Sequence, residues 1–307
     1  MQTQFYSHGK LLITGEYTIL KGSTGLAVPT KMGQKMWVKP SLTENQSLLE
    51  WKAFDFENNI WFTCTLSYKS WAVLSTNNTK FSKTLIQILK EANGVSGFFK
   101  KKIANYLVET HLEFPNYWGL GSSSTFINNI AKWLQVDPFT LLFNTLGGSG
   151  YDIACANHSK PIYYSLEAKN AVVSNANFFP TFHNNLFFIY LNQKKETSTA
   201  LSNFLANNTT TSQQIARITQ ITNLISSTKV LDEFSNLITE HENILSTILG
   251  EKTIKELLFK EYPHAIKSLG AWGGDFILVV ANNTQDLTYF KTKKYTTIFS
   301  YQEMILS

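Results

Sequence analysis

The chain has 307 residues, of which 43% are hydrophobic and 14% aromatic, and a formal net charge of +5. This is a globular composition, long enough for one large or two ordinary domains with real cores, and it excludes a disordered chain. Two cysteines, Cys64 and Cys155, are too few for a disulfide framework or a zinc site, and no apolar run reaches membrane-spanning length.

In chain order, QFYS (4–7) and KLLIT (10–14) read as strands flanking His8-Gly9. GLAVPT (25–30), QKMWVKP (34–40), SLLEWKAF (47–54) and NIWFTCTL (59–66) follow as strands between Asn- and Gly-marked turns. FSKTLIQILKEANG (81–94) reads as a helix, with Leu85, Ile88 and Leu89 on one face. KIANYLVETHLEF (102–114) alternates as a long strand. A glycine-serine loop then runs into a helix in NYWGLGSSSTFINNIAKWL (116–134), and DPFTLLFNTL (137–146) is a short helix with Asp137 as cap and Pro138 at its first position. PIYYSLE (161–167) and NLFFIYL (185–191) read as strands. TSTALSNFLANN, TSQQIARITQITNLISST and LDEFSNLITEHENILSTILG read as helices, KSLGAWGGDFILVVA as a glycine-rich turn into a strand, and YTTIFSY as a final strand. The texture predicts two α+β domains, 1–183 and 184–307. Residues 1–17 lack a basic segment followed by an apolar one, so no signal peptide is expected, and the two cysteines point to a reduced, cytoplasmic compartment.

The charge is carried almost entirely by lysine: Arg217 is the only arginine among 27 basic residues. Arginine forks, the usual readers of guanine and of paired phosphate oxygens, are therefore nearly absent. Anions must be held by lysines, hydroxyls and backbone N–H groups. Lys100-Lys101-Lys102 reads as a solvated cluster, and no nucleic-acid or membrane partner is expected.

Four stretches bear on chemistry. In GLGSSS (Gly119, Leu120, Gly121, Ser122, Ser123, Ser124) the glycines allow close approach of a ligand, and the following helix offers its positive end. Ser122 and Ser123 offer hydroxyls to phosphate or Mg2+. The plain alternative is a helix cap. The loop is neither a Walker A loop, because no GK[ST] follows, nor a dinucleotide fingerprint, because Ser124 stands at the third glycine position. In HGKLLITGEY (8–17), Lys10 starts a strand beside a glycine, and Glu16 follows another. In LGGSGYDIA (146–154), Asp152 falls at a helix start, where the dipole favours a carboxylate; it is either a cap or a catalytic acid. In GAWGGDF (270–276), three glycines precede a strand.

Taken in order, these four stretches resemble the GHMP kinases, the family of galactokinase, homoserine kinase, mevalonate kinase and phosphomevalonate kinase. The resemblance runs from about residue 5 to about residue 300. Glu-Tyr after the glycine, Gly-Ser-Gly-aromatic-Asp and GGD ending in Asp275 are similar to the phosphomevalonate kinase branch, and Gly-Tyr-Asp-Ile-Ala is similar to a bacterial subgroup of that family. The resemblance implies an α+β, two-domain GHMP-kinase fold, with an N-terminal domain of ribosomal-protein type and a C-terminal ferredoxin-like α/β sandwich closing the cleft. It implies a kinase using ATP and Mg2+ on a small-molecule acceptor of isoprenoid-precursor metabolism, acting as a monomer or homodimer.

Asp152 and Lys10 are then the catalytic pair, residues 119–124 bind the ATP phosphates, and Ser123 is the metal ligand. Glu16, Ser149, Gly150, Thr199, Gly270, Gly273, Gly274 and Asp275 line the acceptor side; Lys194 and Lys195 lie in the same segment as Thr199. Two departures stand out. Trp272 replaces a glycine, and no acid lies between Asp137 and Asp152 to serve as the second Mg2+ ligand of mevalonate kinases. Mevalonate kinase is the alternative within the family. A non-catalytic nucleotide- or metabolite-binding protein on the same fold is the alternative outside it. A serine hydrolase built on Ser149, Asp152 and His158 lacks the Gly-x-Ser-x-Gly elbow.

Overall fold

Residues 2–41, 47–167, 170–193, 204, 210–270 and 272–306 are described in the computed structural model of the chain. They divide into two compact units, each discontinuous in sequence. The first is Met1–Gly9, Met32–Asn116 and Leu120–Asn157; the second is Lys10–Lys31, Tyr117–Gly119 and His158–Ser307.

The first unit is built on strands β3 (Leu48–Phe54), β4 (Ile60–Ser67), β5 (Ala72–Thr76) and β6 (Asn105–Leu112), with the later part of β2 (Gly25–Ser41). Their order is β5-β4-β3-β6-β2, with β3 and β6 parallel and the other pairs antiparallel. NYLVETHL of β6 alternates strictly, burying Tyr106, Val108, Thr110 and Leu112. Helices α1 (Thr79–Ser96), α3 (Ser122–Leu134) and α4 (Pro138–Thr145) pack against this sheet. Leu85, Ile88 and Leu89 of α1 and Phe126, Ile127 and Ile130 of α3 share one core with Met36, Trp51 and Phe62. The local rules hold at the helix ends: Asn78 caps α1 by accepting from Phe81 N–H, Asp137 caps α4 by accepting from Thr140 N–H, and Pro138 opens α4. The four-residue α2 (Phe98–Lys101) and the short α5 (Tyr151–Asn157) complete the unit.

The second unit carries a four-stranded antiparallel sheet in the order β10-β11-β9-β12, from Ile266–Leu269, Phe276–Val280, Leu186–Tyr190 and Ile298–Ser300. Every residue of β9 is buried, as expected of a strand flanked on both edges. The same unit holds the β7–β8 hairpin (Ile162–Glu167 and Asn170–Asn175), whose β7 pairs with Gly25–Ala27. Helix α6 (Ser212–Ser227) starts with a Thr211/Gln214 capping box, and α7 (Leu231–Leu249) ends on Gly250 in the left-handed conformation. No helix among the described residues is long and apolar enough to cross a membrane.

Two differences from the sequence reading concern the first strands. Thr3–Thr14 is one strand (β1) running through His8-Gly9, and β2 is a single strand running through Pro29 and Gly33. Gly33 marks close backbone approach, not a break: a Cβ there would lie 2.3 Å from Ser7 O and 2.6 Å from Tyr6 Oη. Gly33→Ala is therefore expected to cost about 3 kcal/mol in urea unfolding. Gly94, inside α1 with nothing within 4 Å of a built Cβ, is expected to behave oppositely. Gly94→Ala should add about 0.5–1 kcal/mol, and a loss there would contradict the open site.

Candidate active site

In the first unit, the glycine-serine loop leads directly into α3. Gly121, at φ +87°, occupies the N-cap, so no side chain caps this helix end. The carbonyl of Gly121 accepts from Ser124 N–H at 3.1 Å and from Thr125 N–H at 3.0 Å. Ser123 is exposed, Ser122 half-buried and Ser124 buried. The α3 terminus thus keeps first-turn N–H groups and an exposed hydroxyl on one side, the chemistry that suits phosphate.

Asp152 reaches the same place from another element. Gly147, Gly148 and Gly150 all have positive φ, and this tight passage opens α5, with Asp152 in its first turn. Ser124 Oγ donates to Asp152 Oδ2 at 3.4 Å. Ser149 is half-buried and Gly150 buried, its carbonyl accepting from Ala154 N–H at 3.1 Å. The α3 helix is held by polar groups that its apolar pattern conceals. Asn128 Nδ2 donates to Ala156 O at 3.1 Å and to Ser7 Oγ at 2.9 Å; Asn129 Nδ2 donates to Gln34 O at 3.0 Å. The only sequence trace of this ladder is an Asn-Asn pair in the middle of a buried helix face.

Among the described residues, no group of three or more His, Cys, Asp or Glu residues is arranged to hold a metal ion. An exposed serine hydroxyl beside a helix N-terminus fits a different arrangement, in which Mg2+ is bound mainly by nucleotide phosphates and water.

In the second unit, Gly119, Gly270 and Asp275 converge. A Cβ on Gly119 would lie 2.2 Å from Asp275 Oδ2, and one on Gly270 would lie 3.2 Å from the same oxygen. Asp275 is 7% exposed and sits at φ +51°, a costly conformation for a non-glycine residue. Its N–H donates to Gln193 O and its carbonyl accepts from Leu191 N–H, while Gln193 Nε2 donates to Gly273 O at 2.9 Å. Gly273 and Gly274 are buried. Trp272 does not project into open space. It is 3% exposed, packs with Tyr17, Phe204, Leu245 and Ile248, and donates its backbone N–H to Tyr17 Oη at 2.9 Å. Lys10 is buried at 8% exposure within β1. Thr199, Lys194 and Lys195 lie outside the described residues.

Glu16 has surroundings that the sequence did not foreshadow. It is 4% exposed and accepts through Oε1 from Lys267 Nζ at 2.7 Å. Lys267, fully buried, also donates to Glu242 Oε1 at 3.2 Å. His241 Nε2 accepts from Gly15 N–H at 3.0 Å and lies 3.6 Å from Glu16 Oε2. Because Nε2 is an acceptor, the imidazole is neutral, and burial followed by the Lys267 charge holds its pKa well below the usual range. Burial pushes the Glu16 carboxyl up to about 7 against the pull of Lys267, and burial likewise raises Glu242.

A pH dependence follows. The folded chain keeps the Glu16 proton up to about pH 7, whereas an unfolded glutamate loses it near 4.5. This stability is complete at low pH and is lost as pH rises through that window. His241 acts with the opposite sign, losing stability as pH falls below its unfolded pKa, and is common to both proteins in a comparison. The difference in unfolding free energy between Glu16→Gln and the parent chain should therefore shift in favour of the variant between about pH 4.5 and about pH 7. A flat difference curve would show that Glu16 is not protonated in the folded state.

The chain's mixed α+β fold is the one seen in solved structures of mevalonate kinase, phosphomevalonate kinase and galactokinase. The chain is similar to the mevalonate kinase of Methanococcus jannaschii, with a TM-score of 0.71 and 13% identity over 100% of this chain and 99% of that one. It is similar to the Streptococcus pneumoniae phosphomevalonate kinase in complex with phosphomevalonate and AMPPNP (TM-score 0.69, 13% identity, 98% and 99% covered). It is also similar to the Lactococcus lactis galactokinase complexed with galactose (0.66, 11%, 99% and 93%). At these identities the likeness is one of fold. No protein-family profile and no curated protein matches the chain.

Proposed function

We propose that this chain is an ATP-dependent kinase of the GHMP type. It transfers the γ-phosphoryl group of ATP to a small-molecule acceptor of the mevalonate pathway, with phosphomevalonate as the first candidate and mevalonate as the alternative. The observation that carries this reading is the approach of Asp152 to Ser124 in the first turn of α3, which sets a carboxylate beside a phosphate-suited helix end within one unit. The full-length likeness to a phosphomevalonate kinase solved with its acceptor and AMPPNP supports it. Glu16-Tyr17, GSGYD and GGD favour the phosphomevalonate branch, and Gly-Tyr-Asp-Ile-Ala favours the bacterial subgroup.

Phosphoryl transfer asks mainly for positioning and placed charge. In this proposal, the N–H groups and hydroxyls of residues 119–124 hold the transferred phosphates. Asp152 orients the attacking oxygen and, on a hydroxyl acceptor, receives its proton. Lys10 supplies positive charge against the acceptor. Mg2+, bound with the nucleotide, would neutralise phosphate charge, with the hydroxyl of Ser123 as its ligand from this chain. Ser149, Gly150, Thr199, Gly270, Gly273, Gly274 and Asp275 would shape the acceptor side. The same reading makes the chain a cytoplasmic enzyme of small molecules. Its test is a coupled assay of ATP consumption over a panel of acceptors, with mevalonate and phosphomevalonate side by side. ATP binding without turnover on any acceptor would favour a non-catalytic binding protein instead.

A further inference from the structure

We propose that Lys267 is a positioning residue of this kinase: buried between Glu16 and Glu242, its ammonium group fixes the Gly15–Tyr17 turn against the glycine-rich 270–275 turn. The proposal rests on the kinase reading above, which places the 270–275 turn on the acceptor side.

The geometry lies wholly within the second unit. Lys267 stands in the middle of β10, in the run IKSL, at 0% exposure. An ammonium group has three donors, and all three are used: on Glu16 Oε1 at 2.7 Å, Glu242 Oε1 at 3.2 Å and Ser268 O at 3.1 Å. These acceptors belong to three elements, namely the turn after β1, helix α7 and β10 itself. Glu242 is fixed in turn by Ser268 N–H, which donates to its Oε2 at 3.1 Å. The neighbouring His241 ties Gly15 N–H to helix α7, and Trp272 N–H donates to Tyr17 Oη, joining the two turns directly.

A buried ion cluster of this kind is no more stabilising than well-packed apolar residues would be. What it adds is a single allowed geometry. Ser268 and Leu269 lead directly into Gly270, whose Cβ position lies 3.2 Å from Asp275 Oδ2, and the Gly119 Cβ position lies 2.2 Å from that oxygen. With so little space, a shift of β10 by a few tenths of an ångström is passed to Gly119, the first residue of the phosphate loop. Among the described residues, Glu16 Oε2 and His241 Nδ1 have no hydrogen-bond partner. Lys267 is therefore the principal tie on the Glu16 side chain.

The test compares the parent chain with Glu16→Leu, Glu16→Gln, Lys267→Met and the charge-balanced double variant Lys267→Met/Glu242→Gln, reading kcat, KM and thermal midpoint for each. Glu16→Leu cuts the tie but leaves Lys267 paired with Glu242; Glu16→Gln keeps the Oε1 acceptor. Glu16→Leu should lose about tenfold or more in kcat, and Glu16→Gln, which keeps the acceptor for Lys267, should lose clearly less. The double variant should recover the thermal midpoint lost by Lys267→Met but not its kcat. If Glu16→Leu or the double variant is folded and turns over like the parent, Lys267 is only structural and the proposal fails while the kinase reading stands. If the parent itself turns over no acceptor, the kinase reading fails and takes this proposal with it.

Discussion

Asp152→Asn should leave the chain folded, with an unfolding free energy within about 1 kcal/mol of the parent, and lower kcat by about 10³-fold. The substitution keeps the size of the side chain and an oxygen that accepts from Ser124 Oγ, the contact seen at 3.4 Å. What it removes is the negative charge that orients the attacking oxygen and, on a hydroxyl acceptor, the ability to take its proton. The expected loss is in kcat rather than in KM for ATP, because the phosphate-suited N–H groups belong to α3 and not to α5. A variant that unfolds would mean that Asp152 serves chiefly to build the α5 turn. A variant that folds and keeps full turnover would show that another group handles the acceptor oxygen.

Gly119→Ala should be strongly destabilising. Its Cβ would lie 2.2 Å from Asp275 Oδ2 and 2.5 Å from Asp275 Cγ, and the residue has φ +67°. The left-handed backbone alone costs an alanine about 1–2 kcal/mol, and a clash of this depth adds about as much again. Asp275 is 7% exposed on a backbone tied to Leu191 and Gln193, so its side chain has little room to swing away. Gly147→Ala is the matched control: its φ is +70°, but nothing lies within 4 Å of the built Cβ. It should show the backbone penalty without the clash. Asp275→Gly removes the obstructing carboxylate and suits the φ of +51° at that position, so Gly119→Ala/Asp275→Gly should regain most of the lost stability. A strictly additive double variant would place the damage somewhere other than this contact.

Much of the architecture was legible because it follows local rules. The apolar spacing in α1, the Asp137-Pro138 start of α4, and the apolar stripes of α6 and α7 each name their own element. The all-apolar LFFIY of β9 names a buried strand for the same reason. What stayed hidden depends on partners distant in sequence. Gly33 reads as a break, yet it is the place where β2 passes close to Ser7 and Tyr6. The strand IKSL was obscured because a lysine at its centre reads as surface, and only Glu16 and Glu242, 251 and 25 residues away, make its burial tolerable. Trp272, a bulky residue in a glycine-rich turn, reads as an intrusion; its ring instead fills a core beside Tyr17 and Phe204.

The central claim is that a phosphoryl group passes from ATP to a mevalonate-pathway acceptor under the direction of Asp152. It is tested most directly by following the products by phosphorus NMR with the parent chain and Asp152→Asn in parallel. Each is incubated with ATP, Mg2+ and either phosphomevalonate or mevalonate. The account predicts ADP and a newly phosphorylated acceptor in equal amounts from the parent chain, and almost none from the variant. ADP without a phosphorylated acceptor, or equal product from both proteins, would contradict it.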